Sequence, residues 1–288
     1  MGPLLACRVK EPFMRFSVHH ETIYRYAKPL ALASHILRFA PRPEGVRLLS
    51  RELTIEPTPG ARQETTDAFG NLVTRVNFNG FSDHLRIDSR FVLETFAAPP
   101  SEGFVAPKLP WPIVFGDPNA AYLASGPVDV MVGAFTYDIA RRADANALVF
   151  LDLLNQALYT QVRHDIRPDG AAMRPEETLA VGAGACRDVT MLFLAACRAL
   201  GVPARFVSGY QAEADTPDGK RHLHAWPQAF VPGLGWRGYD PTHGLAVGEG
   251  HVALCVAPDQ AATMPVEGGY FGEAVASTLS YSVEIVTG

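Results

Sequence analysis

Cysteine is scarce in this chain. Four occur in 288 residues, Cys7, Cys186, Cys197 and Cys255, and no two form a C-x-x-C pair. A disulfide-stapled fold is excluded, because a chain of this length needs no staples, and the spacing of finger-type zinc sites is missing. A basic excess is also lacking. Twenty-five Lys and Arg stand against 30 Asp and Glu, a formal charge of −5, so nothing is set to neutralise the phosphates of a nucleic acid. No apolar run approaches the roughly 18 residues that would span a bilayer, which excludes a membrane helix. Repeats and low-complexity tracts are absent. The start, MGPLLACRVKEPF, places LLAC before Cys7 like a lipoprotein cleavage box, but no basic region precedes it and the apolar run is too short for a signal core. Gly2 lacks the Ser or Thr of a myristoylation signal, since position 6 is Ala. Residues 1–13 are expected to be a leader outside the fold, and the protein is expected to be cytoplasmic.

What is present is ordinary for a globular protein with a sizeable core: 48% hydrophobic and 19% charged residues. From residue 14 to 96 the text is strand-like. FSVHHETIYRY, RELTIEPTP, LVTRVNF and HLRIDSRFVLETF alternate in part and carry β-branched and aromatic residues. PRPEG, PTPG and DAFGN punctuate them as turns. Residues 97–119, dense in Pro and Gly, read as a linker or wrapping segment. Residues 120–288 begin with helical patterns and end in alternating strands, the last being HVALCVA and STLSYSVEIV. In the segment 147–162, Val149, Phe150, Leu153, Leu154, Ala157, Leu158 and Val162 make a helix face. The expected fold is α+β: an all-β module of about five strands, then helices packed on an antiparallel sheet.

Chemistry concentrates in GAGACRDVTMLFLAACRALG, residues 182–201. Val189, Leu192, Phe193, Ala196, Cys197 and Leu200 recur at helical spacing and predict a buried stripe, which extended back reaches Cys186. Cys197 sits mid-helix and reads as a core thiol. Cys186 stands where small residues give way to the helix. Unpaired N–H groups and the helix dipole favour an anion there, which favours the thiolate and offers donors to an oxyanion. A thiolate nucleophile also needs a base and a group to orient that base. HLHAWPQAF as a strand puts His222, His224, Trp226, Gln228 and Phe230 on one face, and GWRGYDP puts Trp236, Gly238 and Asp240 on one face of the next. The tight turn PGLG makes these strands antiparallel neighbours, so an imidazole and a carboxylate can meet. Spacing alone leaves His222, His224 and His243 open as the base.

GACRD opening a helix, then HAW, then DPT, in that order, resembles the transglutaminase-like superfamily of papain-fold thiol enzymes. The likeness runs from about Glu176 to Gly244. GVPARFVSGY is similar to the strand after the cysteine helix in bacterial members, and the β-rich first part with DAFGN resembles their N-terminal domain. The resemblance implies Cys186 as nucleophile, His224 as base because it precedes Ala-Trp, and Asp240 as orienter because it precedes Pro-Thr. Two positions depart from the pattern. Pro227 stands where an extended residue with an N–H is common, which predicts an edge strand or a local break in pairing. His243 stands where Asn is common. A Gln shortly before the cysteine is missing, the nearest upstream being Gln161, so the second oxyanion donor stays unassigned.

The expected function is thiol-dependent acyl transfer at amide bonds of a protein or peptide substrate through a thioester, with no cofactor. Water as acceptor makes a cysteine protease or amidase, and is favoured because it is always present. An amine makes a transamidase. An inactive binding module is disfavoured by the intact Cys, His and Asp set. A zinc site from Cys186, His222, His224 and Asp240 is disfavoured because no close ligand pair has finger-like spacing and two histidines two apart on a strand are common by chance.

Overall fold

The computed structural model describes residues 13–97, 103–112, 117–123, 127–167, 170–212, 216 and 219–288. The expected leader and Cys7 lie outside the described residues, except that Phe13 already opens the first strand.

β1 (Phe13–Leu32) shows how alternation builds the first module. Phe16, Val18, His20 and Thr22 are buried while the residues between them are not, the two-residue period of a strand with one covered face. β2 (His35–Leu37), β3 (Val46–Glu56), β4 (Ala61–Thr66), β5 (Leu72–Asn77) and β6 (Ser82–Phe96) complete the N-terminal all-β region. β1 pairs with β6 and β6 with β3, all antiparallel; β2, β5 and β4 form a smaller sheet.

The segment after β6 runs over the helices rather than away from them. Ala106 and Leu109 are buried, the Leu109 N–H donates to the Ala145 carbonyl, and the Trp111 N–H donates to the Leu200 carbonyl. α1 (Val130–Arg142) is capped by Asp129 and α2 (Ala147–Gln161) by Asn146, whose side chains accept from the first-turn N–H groups. On α2 the buried face is centred one position away from the expected one. Phe150, Leu151, Leu154, Ala157 and Leu158 are covered, whereas Val149 faces solvent. Next come β7 (Arg163–His164), α3 (Pro175–Val181), β8 (Ala183–Gly184) and α4 (Cys186–Ala199). The α4 stripe of Val189, Leu192, Phe193, Ala196, Cys197 and Leu200 is fully buried.

The core sheet contains β9 (Ala204–Gln211), β10 (His224–Val231), β11 (Gly235–Asp240), β12 (Leu245–Ala246) and β13 (His251–Ala257), in the order β12-β11-β10-β9-β13. Every residue of β9 is buried, because α4 covers one face of this sheet and β1 and β6 cover part of the other. Phe16, Val18, Phe91 and Leu93 meet Tyr210, Val252 and Leu254 across that second interface. Within the sheet Gly209 is hemmed in by both neighbouring strands: a Cβ there would overlap the Val252 carbonyl oxygen and come within 2.6 Å of Trp226 Cη2.

Three details correct the sequence reading. β10 starts at His224, so His222 precedes the strand and does not share its face. β10 lies inside the sheet, so Pro227 is not on an edge strand; its ladder to β11 begins at Gln228↔Gly238, just past the residue that has no N–H to give. The tail also leaves the segment in which it was expected. β14 (Val266–Glu267) pairs with β2, and β15 (Tyr270–Phe271) and β16 (Ser277–Thr287) pair with β1. The last strands therefore belong to the N-terminal sheets and not to the helix-backed core. Alternation marks a strand without naming its partner, and β1 offers a long free edge.

Candidate active site

The chain around Cys186 is held from both sides. β8 pairs parallel with β7, with His164 opposite Gly184. The Asp165 N–H donates to the Gly184 carbonyl at 2.9 Å. Cys186 is then the first residue of α4, where the leading N–H groups have no acceptor within the helix. Asp188, wholly buried one turn in, reaches back: Oδ2 accepts from the Ala185 N–H at 2.7 Å and Oδ1 from the Met173 N–H at 2.8 Å and from Arg167. Its carboxylate thus ties the approach loop to the helix start. Cys186 is partly exposed, whereas Cys197 and Cys255 are buried. Burial pushes the Cys197 thiol far up and the Cys255 thiol up to about 12.

His224, nearly buried at the start of β10, bridges two groups. Its Nε2 donates to Asp240 Oδ2 at 2.9 Å, and the Cys186 side chain lies close enough to act on the ring, for which Nδ1 is the nitrogen left to meet it. Asp240 ends β11 and has no exposed surface. Its Oδ1 accepts from the Thr242 N–H at 3.1 Å and the His243 N–H at 3.3 Å. Its Oδ2 accepts from His243 Nδ1 at 3.0 Å and His251 Nε2 at 3.2 Å as well as from His224. Burial opposes the charge on Asp240, but the His224 charge and the imidazole hydrogen bonds hold its carboxyl well below the usual range. Burial likewise opposes a charged His224. The Asp240 carboxylate and then Cys186 outweigh it and hold His224 up at about 10. The neighbouring imidazoles go the other way: burial first, then charge from nearby imidazoles, push His164 and His251 down.

Cys186, His224 and Asp240 are thus brought together. His222 is not in that contact; its Nδ1 meets the Tyr281 hydroxyl at 2.9 Å. His243 and His251 join the carboxylate, and His164 stands beside them with its ring 6.1 Å from that of His243. Sequence reasoning missed His164 and His251. One comes from a two-residue strand with no alternation to read, the other from the start of a tail strand. As for metal ligation, one ligand atom each of His224, Asp240 and His243 lie within 4.8 Å of one another, but these residues hydrogen-bond each other, His224 Nε2 and His243 Nδ1 both to Asp240 Oδ2. The fourth residue of the zinc set considered above, His222, sits on Tyr281.

A cleft of about 300 Å³ opens over Cys186. His164, Cys186, His224 and His243 line it from the core. Thr22 and Tyr24 of β1 and Leu279 and Tyr281 of β16 line it from the N-terminal sheet. One wall therefore offers a thiol, imidazoles and helix N–H groups, and the other an apolar and aromatic surface.

Comparison with known proteins follows the same division. Residues 16–94 match the bacterial transglutaminase-like N-terminal region, and residues 134–241 match the transglutaminase-like superfamily. An uncharacterised protein of Mycobacterium tuberculosis is 26% identical, with 94% of this chain and 92% of that protein covered. One from Mycobacterium leprae is 28% identical, with 94% and 98% covered. The crystal structure of a protein from Cytophaga hutchinsonii, titled as a candidate cysteine protease, superposes with a TM-score of 0.73 at 20% identity, covering 96% of this chain and 91% of its own. That likeness speaks to the fold. The two matched regions and the α+β architecture together make this chain a member of the transglutaminase-like superfamily, with the bacterial N-terminal region ahead of a papain-like core.

Proposed function

We propose that the protein transfers acyl groups at amide bonds through Cys186, with His224 as base and Asp240 as its orienter, and that water is the usual acceptor. The observation that carries this reading is the imidazole of His224 held between the Cys186 side chain and the Asp240 carboxylate. The thiolate attacks the amide carbonyl carbon while helix N–H groups at the start of α4 bind the developing oxyanion. The C–N bond breaks, the leaving amine takes the proton of the His224 imidazolium, and a thioester remains on Cys186. Water then attacks the thioester, His224 takes its proton, the C–S bond breaks and the acid departs. An amine in place of water gives transamidation with the same residues. The apolar wall of Tyr24, Leu279 and Tyr281 suits the side chains of a protein or peptide substrate.

Incubation of a peptide library with the protein, with and without a primary amine, tests this by mass spectrometry. Amide cleavage or deamidation is expected without amine and must vanish in Cys186→Ala. Products unaffected by Cys186→Ala would contradict the thiol mechanism, and products found only with amine would reverse the choice of acceptor.

A further inference from the structure

We infer that His243 orients the nucleophile that discharges the thioester, a role that rests on the thiol acyl-transfer reading above. His243 lines the cleft, and its ring centroid lies 5.1 Å from that of His224. Its Nδ1 faces Asp240 Oδ2 at 3.0 Å, and a carboxylate only accepts, so Nδ1 carries the hydrogen. In the neutral ring Nε2 is then a bare acceptor. Nε2 is closed off from solvent in the free protein and has no hydrogen-bond partner among the described residues, so a donor reaches it only as the cleft rearranges around the acyl group. A buried acceptor left unpaired is costly, and such an atom beside a reacting centre fits a donor that arrives with the substrate. Water or an amine, the two acceptors of the reaction, each bring two N–H or O–H groups.

The other imidazoles do not compete for this role. His224 gives Nε2 to Asp240 and turns Nδ1 to the Cys186 side. His164 also lines the cleft, but neither of its nitrogens is both buried and unpaired. His251 also has an unpaired nitrogen, Nδ1, but it lies outside the cleft lining and packs on Trp226 with ring centroids 5.2 Å apart. Nor is His243 needed to orient the base, since Asp240 holds His224 directly. In the discharge step one hydrogen of the incoming water is donated to His243 Nε2 and the other to His224 Nδ1. This turns the oxygen lone pair to the thioester carbonyl carbon. The C–O bond forms, His224 takes the proton, the C–S bond breaks and Cys186 leaves as thiolate. His243 ends as it began, a positioning group without net proton transfer.

His243→Asn separates the two edges of the ring. The Asn amide reaches the Nδ1 position and keeps the donor to Asp240, but nothing replaces Nε2. The probe is p-nitrophenyl acetate, read as a burst of nitrophenolate for acylation and a steady rate for discharge. H243N is expected to keep the burst rate within about threefold and to lower the discharge rate at least about tenfold, as for a misplaced nucleophile. Equal slowing of both phases, the mark of a role through Asp240 alone, would overturn the inference, as would an unchanged discharge rate. Nitrophenolate release that persists unchanged in Cys186→Ala would instead remove the thiol reading and this inference with it. Should H243N not fold, His243→Gln, whose carbonyl reaches the Nε2 position, is compared with His243→Ala. H243Q must discharge faster than H243A, and equal rates would overturn the proposal.

Discussion

Oδ2 of Asp240 accepts from three imidazoles, and only His224 among them also meets the thiol. The pair of Asp240 and His224 has a pH signature. His224 is raised from 6.5 to about 10, so its contribution to stability is fully present below pH 6.5 and is lost as pH rises through 10. Asp240 is depressed below 3.8, so its contribution is present above pH 3.8 and is lost as pH falls through its lower folded value. Asp240→Asn leaves a buried partner behind and should cost about 3–5 kcal/mol where both contributions are whole. Thermal melting of wild type and variant should therefore differ most between pH 3.8 and 6.5 and converge toward pH 10. A difference that grows above pH 7 would contradict the assignment of charges. Much of this site was legible because its parts carry local signals: a thiol at a helix start, a histidine and an aspartate on strands joined by a tight turn. His164 and His251 were not, because their positions are set by pairings between distant segments.

At the scale of elements, α4 and β9 do the positioning. The helix was readable from its apolar stripe, since burial of one face and a 3.6-residue period are the same fact. β9 was readable as a strand but not as one covered on both faces, which depends on where β1 and β6 pack. Gly209 is the point at which β9 leaves no room for a side chain between its neighbouring strands. Gly209→Ala would press a methyl group on the Val252 carbonyl and on Trp226, whose ring is buried in a small apolar cluster beside His224 and His251. Overpacking of this kind should cost about 1–3 kcal/mol, seen in urea unfolding as a lower midpoint at unchanged slope. A variant as stable as wild type would mean the sheet and Trp226 yield freely there. The α2 face was displaced by one position from the expected stripe because its neighbours cover Leu151, and a helix alone does not say where they stand.

The whole molecule puts the thiol in the lining of a cleft that neither module makes alone. The α+β class and the β-rich first module were legible from patterning, but the return of β16 to β1 was not, and it supplies Leu279 and Tyr281 to the cleft. The link between His222 and Tyr281 belongs to this join, which makes His222 the natural control for His224. The most direct test of the central claim is iodoacetamide labelling at pH 6, located by peptide mass, in wild type, His224→Ala and His222→Ala. The account predicts that Cys186 is alkylated well before Cys197 and Cys255. It predicts that H224A slows labelling of Cys186 at least about 10²-fold, the usual effect of losing a general base, and that H222A changes it little. Equal labelling of the three cysteines in the folded protein, or a slow H222A beside a normal H224A, would contradict it.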